Sequence, residues 1–396
     1  MKAAVLKETF PGERRVALVP ATVPQLIKAG LEVVVEAGAG AAAGFSDSEY
    51  SAQGATVVAQ RNEAMSAGIL LQVRTLGTNR QAGRCDLEQL RAGQYVVGTA
   101  DPLGEPQAAA EMAKAGVTLF ALELIPRITR AQSMDILSSQ ATVSGYRAVL
   151  LAASELPKMF PMLMTAAGTI TPAKIFVIGA GVAGLQAIAT AKKLGGVVSA
   201  YDVRPACREQ VESLGGKFVE MKLASASAED KGGYARQMDE AFYEEQRKLM
   251  ASVAATSDVV ISTALIPGKK SPLLITAAAV AGMRPGSVIV DLAAERGGNC
   301  ELSKADQRVV EHGVTILGPT NLPSDAPYHA SQMFSNNVAK FLLNLVKKGE
   351  VVVNLDDEII RDTMVTRHGE VSHTKLRELL GLTVQNATPA APDAIK

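Results

Sequence analysis

The sequence contains no tryptophan, and only 9 Phe and 7 Tyr among its 396 residues. Its core must therefore be built mainly from Ala, Val, Ile and Leu. Cysteine occurs three times (Cys85, Cys207, Cys300) and histidine four times (His312, His329, His368, His373). None of them forms a CxxC pair or a Cys/His cluster, so no metal centre is expected. Three scattered cysteines fit a reducing compartment. Neither sign of charge is in excess, since Lys+Arg and Asp+Glu both number 40. A nucleic-acid binder or a polybasic membrane contact would show a basic surplus. The longest run without charge, 175–191, has 17 residues and three glycines, short of a bilayer span. The opening residues carry no apolar signal core. These absences lead to the expectation of a globular, cytoplasmic protein.

What is present is 47% hydrophobic residues and 34 glycines, in a length that suits two or three domains. Over the first 125 residues short apolar runs alternate with amphipathic stretches. The spacing predicts strands at 3–6, 31–35, 69–73, 95–97 and 117–121, with helices at 22–29 and 106–115. Such alternation builds a mostly parallel sheet covered on both faces. Helical spacing over 138–154 leads into a proline-bounded segment, 157–172, where the chain crosses into a second domain.

From Lys174 the alternation restarts. Strands are predicted at 175–178, 197–201, 217–219, 258–262, 288–291 and 314–317. Helices are predicted at 183–194, 205–214, 235–256 and 273–282, with Pro205 in a first turn. Six strands in this order describe a doubly wound nucleotide-binding domain. The polar segment 220–233 is too long for a routine connection and reads either as a lid or as a solvated insertion. An amphipathic helix over 328–348 can return to the first domain. The predicted fold is thus α/β, with two doubly wound, Rossmann-like parallel-sheet domains and a cofactor cleft between them. Their bounds are 1–137 with 326–380, and 138–325, followed by a flexible Ala/Pro-rich tail at 381–396.

The strongest chemical signal is Gly179-Ala180-Gly181-Val182-Ala183-Gly184, which follows one predicted strand and opens a helix. Gly179 permits the tight turn, Gly181 lets a pyrophosphate approach the backbone, and Gly184 allows close helix–strand packing. Asp202 ends the next strand, 18 residues past Gly184. A carboxylate there accepts from the adenosine ribose hydroxyls and repels a 2′-phosphate, which favours NAD over NADP. Arg204 weighs the other way, because an arginine can receive that phosphate. A second run, Gly38-Ala39-Gly40 to Gly44, lacks an apolar helix directly behind it and reads as a structural turn.

The segment 127–138 is rich in donors and acceptors and sits where the chain leaves the first domain. Arg127 can pair with Asp135, and Gln132 and Ser138 can bind a carboxamide. A polar helix start with satisfied caps accounts for the same residues. Ala264 and Leu265 follow the fourth strand of the second domain, at the edge where a ligand lies. Asp291 can face the same crevice. Tyr328, His329, Gln332 and Asn336 have helical spacing and can share a face. No nucleophile–base pair stands out. Transfer of hydride to a carbonyl or imine needs a positioned acid or base, whereas transfer between two nicotinamides needs only positioning and exclusion of water.

Lys7-Glu8-Thr9, Glu13-Arg14-Arg15-Val16-Ala17-Leu18-Val19-Pro20 and Gly44-Phe45-Ser46-Asp47 resemble the opening of the alanine dehydrogenase/transhydrogenase superfamily. Pro126–Asp135 with Leu137-Ser138-Ser139-Gln140, the glycine turn, Asp202-Val203-Arg204, Lys231-Gly232-Gly233-Tyr234-Ala235 and 263–269 narrow the resemblance. They are similar to the NAD(H)-binding alpha subunits of proton-translocating NAD(P) transhydrogenases. That resemblance implies direct hydride exchange between NAD(H) here and NADP(H) on a beta subunit, driven by proton passage through a membrane-spanning component. It further implies a homodimer, peripherally attached to the inner (cytoplasmic) membrane through its partners.

By the same resemblance Arg127, Gln132, Asp135 and Ser138 surround the nicotinamide, together with Ile128, Thr129 and Arg130. Val182, Asp202, Val203, Arg204, Gly233, Gln246, Ala264 and Leu265 are the other nucleotide contacts, and Tyr234 belongs to a mobile loop. Alanine dehydrogenase is the rival within the superfamily. Its lysine position is taken by Arg74 here, Arg15 would hold its substrate carboxylate, and no histidine precedes His312. Arginine cannot relay a proton near neutral pH. A non-catalytic NAD(H) sensor is the alternative of a different class.

Overall fold

The computed structural model describes residues 1–221, 240–265, 268 and 270–383. These form two compact units, Met1–Ile136 with 331–383, and Leu137–Ala330. The chain passes from one to the other within the helices Ile136–Glu155 and Pro327–Leu345.

In the first unit the described strands form one eight-stranded sheet. Its six parallel strands lie in the order Thr56–Val58, Glu32–Glu36, Lys2–Val5, Ile69–Arg74, Tyr95–Thr99, Thr118–Ala121. Numbered along the chain, this is the doubly wound order 3-2-1-4-5-6. Met364–Arg367 and Glu370–Val371 extend the far edge antiparallel. Alternation explains why these strands read as continuous apolar runs. Ala3 and Val5 enter the core on one face, and Ala4 and Leu6 enter the core on the other.

The second unit repeats the plan. Its described sheet runs Lys217–Phe218, Val197–Tyr201, Lys174–Ile178, Val259–Ser262, Val288–Asp291, Val314–Leu317, Arg308–Glu311. The first six are parallel in the same 3-2-1-4-5-6 order, and the seventh is antiparallel. Ile175 and Val177 feed one core, Phe176 and Ile178 the other. Two doubly wound, parallel-dominated α/β sheets are therefore the architecture of this chain.

Several local expectations need correction. The helix foreseen at 273–282 is only Ala277–Ala281, capped by Thr276. The amides of Leu274 and Ile275 donate instead to the Asn299 carbonyl, both at 2.9 Å, and Ile275 forms a bridge with Cys300. Pro205 precedes the helix Cys207–Ser213, so it occupies no first-turn position. The described part of the long helix is Glu240–Ala254, and residues 235–239 lie outside the described residues. Strands Thr56–Val58, Arg308–Glu311 and the hairpin Leu163–Thr165 with Gly168–Ile170 were too short and too polar or flanked by turns to stand out. The Gly38–Gly44 run is a turn: Gly44 adopts φ 88°, and a Ser46–Glu49 capping box opens the helix Asp47–Ala52. Among the described residues no helix is long and apolar enough to cross a membrane.

Candidate nucleotide-binding site

In an open doubly wound sheet, ligands lie beyond the carboxyl ends of the strands, where the strand order reverses. In the second unit that point falls between Lys174–Ile178 and Val259–Ser262. The glycine turn leaves the first of these strands. Gly179 has φ 97°, a conformation that a side chain disfavours, and its amide donates to the Tyr201 carbonyl at 2.8 Å. A methyl on Gly184 would collide with the Gly179 carbonyl oxygen. A methyl on Gly181 would meet nothing within 4 Å, so the backbone is open there. The helix Val182–Lys193 starts at Gly181 without a side-chain cap. Its first amides and its dipole can therefore receive an anion. The Thr263 hydroxyl donates to the carbonyls of Ile178 and Gly179, each at 3.2 Å, and pins the turn to the neighbouring strand end.

Asp202 leaves the next strand and is buried. Its carboxylate accepts from the Ala180 amide at 2.7 Å, which ties the two strand ends together. It also accepts from the Arg204 amide and Nε, both at 2.9 Å, and from Nη2 at 3.0 Å. Val203 lies between them. Gln246 is buried on the helix Glu240–Ala254 and donates to the Tyr201 hydroxyl at 3.1 Å. Burial pushes Tyr201 up to about 12, with Gln246 opposing the shift and Asp202 adding to it, so the phenol stays protonated. Among the described residues Gln246 Oε1 has no donor, although it is buried. A buried acceptor in that state suits a ligand N–H or O–H.

Ala264 is held by a residue that sequence reasoning missed. The Asn299 side chain accepts from the Ala264 amide at 3.0 Å and donates to the Ala264 and Pro272 carbonyls, each at 2.9 Å. Leu265 beside it and Val182 are exposed, at 43% and 40%. Asp291 does not face a crevice. It is fully buried and accepts from the Ser262 hydroxyl and from the amides of Ala293, Asn299 and Cys300, at 2.8–3.0 Å. The Gly297-Gly298-Asn299 sequence after a strand end was the available signal for this loop. Gly233 and Tyr234 lie outside the described residues, as does nearly all of the 220–233 segment.

Arg127, Ile128, Thr129, Arg130, Gln132 and Asp135 belong to the first unit, and Ser138 to the second. Thr129–Met134 is a 3₁₀ helix whose Ala131 and Met134 are buried, which leaves Thr129, Arg130 and Gln132 on the surface with Arg127. Ile128 packs against the core. Asn337 Nδ2 donates to the Ser133 carbonyl at 2.9 Å and fixes this segment from the returning helix. Arg130 is committed to Asp357, at 2.6 Å, which holds that carboxyl down at about 2. The Ser138 carbonyl accepts from Thr142. Tyr328 is 45% exposed and stacks edge-on against His329, Gln332 is half-buried and Asn336 exposed.

At the corresponding carboxyl edge of the first unit, charge is internally matched. Glu13 takes Arg15 as a fork, at 2.7 Å on both oxygens, and also Arg74 Nε at 2.9 Å. Glu8 accepts from the amides of Val73 and Arg74 at 2.6 and 3.2 Å. Burial, then Glu13, pushes Glu8 up to about 8.

Comparison with known proteins bears on what this geometry serves. Residues 4–144 match the family described as alanine dehydrogenase/PNT, N-terminal domain, and residues 148–374 match its C-terminal domain. An NAD(P) transhydrogenase subunit alpha protein of Rhodospirillum rubrum is 47% identical over 380 residues, 95% of this chain and 99% of that protein. The crystal structure of transhydrogenase from Sinorhizobium meliloti superposes with a TM-score of 0.82 at 42% identity. It spans 95% of this chain and all of that one.

The chain belongs to the alanine dehydrogenase/PNT family, among the NAD(P) transhydrogenase alpha subunits.

Alanine dehydrogenase of Bacillus subtilis is more distant, at 27% identity over 99% of this chain and 98% of that protein. Membership of this oxidoreductase family implies NAD(H) binding. The open Gly181 backbone, the uncapped helix and the Gln246 acceptor fit that cofactor.

Proposed function

We propose that this chain is the NAD(H)-binding component of a proton-translocating transhydrogenase. Hydride passes directly and stereospecifically between NAD(H) held here and NADP(H) held by a partner beta subunit. The observation that carries the reading is the Gly179–Gly184 turn joined to Asp202 through the Ala180 amide, in a chain 47% identical to a transhydrogenase alpha subunit.

On this reading Gly179, Gly181, Val182 and Gly184 cradle the pyrophosphate, and the helix N-terminus supplies donors. Asp202, Val203 and Arg204 receive the adenosine ribose, while Gln246, Ala264 and Leu265 border the adenosine. Arg127, Ile128, Thr129, Arg130, Gln132, Asp135 and Ser138 orient the nicotinamide end. Gly233 and Tyr234 complete the enclosure. Bound NAD(H) supplies the hydride chemistry. The residues position it and exclude water, and no proton relay is required of them.

Amino-acid oxidation is disfavoured. Arg15 and Arg74 are both engaged by Glu13, and no histidine precedes His312. A homodimer is supported by the projecting hairpin, where Met162, Met164 and Ile170 are exposed at 58%, 79% and 37%. Proton movement belongs to a membrane-spanning component, which with the beta subunit holds this chain at the inner (cytoplasmic) membrane.

The test is reconstitution with an NADP-binding beta subunit and the membrane component, using NADH deuterated on one face. Arrival of the label on an NADP analogue supports the proposal. Tight NADH binding without turnover points to a sensor, and oxidation that requires pyruvate and ammonia points to an alanine dehydrogenase.

A further inference from the structure

A carboxylate offers about four acceptor positions. Asp202 has four donors within 3.0 Å: the amides of Ala180 and Arg204, and Arg204 Nε and Nη2. We propose that the Arg204 guanidinium is an internal competitor for Asp202, which the vicinal diol of an adenosine ribose must turn away in order to bind. This rests on Asp202 being the ribose acceptor.

The four donors are not equivalent. Two are backbone amides fixed by the turns that follow adjacent strands, and these stay. The other two sit on a side chain that is 17% exposed and springs from the bend between Tyr201 and the helix Cys207–Ser213. Only these can leave, and a diol brings two O–H donors to replace them. The guanidinium regains water as it turns out. The exchange is a swap of two charge-assisted bonds for two others, so affinity reflects a difference and not a sum.

Two consequences follow for the site. With no ribose present, the 6%-exposed carboxylate is never left as an uncompensated buried charge. Arg204 also speeds departure of the nucleotide, because it re-forms its bridge as the ribose leaves. While bridged, its fork is turned to Asp202 and away from the role of a 2′-phosphate receptor.

The test is calorimetric titration of the full chain and of Arg204→Ala, Arg204→Lys and Asp202→Asn with NADH. Arg204→Ala should bind NADH about threefold to tenfold more tightly than the parent, because two acceptor positions are already open. Arg204→Lys, which cannot form a fork, should fall between them. Equal or weaker binding by Arg204→Ala overturns the competition. If Asp202→Asn binds NADH as the parent does, the ribose assignment itself falls. If Asp202→Asn is weakened while Arg204→Ala is not tightened, only the competition falls. Should Arg204→Ala fail to fold, a crystal structure of the parent chain with NADH decides. A guanidinium beyond about 4 Å from Asp202 supports displacement, and an intact bidentate bridge refutes it.

Discussion

Asn299 grips both backbone polar groups of Ala264, accepting from its amide at 3.0 Å and donating to its carbonyl at 2.9 Å. The side chain acts as a short extra strand for the loop that leaves Val259–Ser262. It is itself fully buried, with its own amide on Asp291.

Replacing Asn299 with Ala leaves the Ala264 and Pro272 groups without these partners. Loss of buried hydrogen bonds of this kind costs about 1–3 kcal/mol. Denaturant unfolding should show that loss, and NADH binding should weaken because Leu265 is no longer held. An unchanged unfolding midpoint with unchanged affinity would remove Asn299 from this role.

Asp202→Asn should weaken NADH binding by about 1–3 kcal/mol, since a charged acceptor of the ribose becomes a neutral one. Calorimetry measures this directly. A dissociation constant equal to the parent's would contradict the ribose assignment.

Gln132→Asn shortens an exposed side chain on the Thr129–Met134 turn without touching the core. It should slow hydride transfer about tenfold or more while NADH affinity changes little, because orientation and not grip is lost. Stopped-flow transfer rates set against titrated affinities separate the two. A defect in affinity alone would count against Gln132 as a nicotinamide-orienting residue.

Glu8 gives a pH signature. Its carboxyl is enclosed beside Glu13, with Arg15 opposing, and titrates near 8 instead of the ordinary 4.5. The folded state thus keeps a proton that the unfolded chain has already released. This contribution to stability is complete below about pH 4.5 and is lost as pH rises through about 8. Glu8→Gln carries no such proton. Thermal unfolding should therefore show the variant gaining on the parent between pH 5 and pH 9. A constant difference across that range would contradict the raised titration.

Much of this was legible in the residues. Strands buried on both faces, such as Lys174–Ile178, read as unbroken apolar runs, and both sheets followed from their alternation with helices. The glycine turn and Asp202 were legible because their spacing is dictated by backbone geometry. Asn299 was not, since its partners are main-chain atoms, which leave no pattern in side-chain identity. Asp291 was misread for a related reason. A carboxylate at a strand end looks the same in sequence whether it meets a ligand or four internal donors. Glu13 escaped notice because its partners Arg15 and Arg74 come together only in the fold. The short edge strands failed for want of length, and 273–282 failed because Asn299 takes the amides a helix would have used.

The most direct measurement is calorimetric titration of the purified chain with NADH and, separately, with NADPH. Binding of NADH with little or none of NADPH is the predicted result, with Asp202 accepting the ribose and repelling a 2′-phosphate. Equal or preferential binding of NADPH would mean that Arg204 governs the site, and would contradict its assignment to NAD(H).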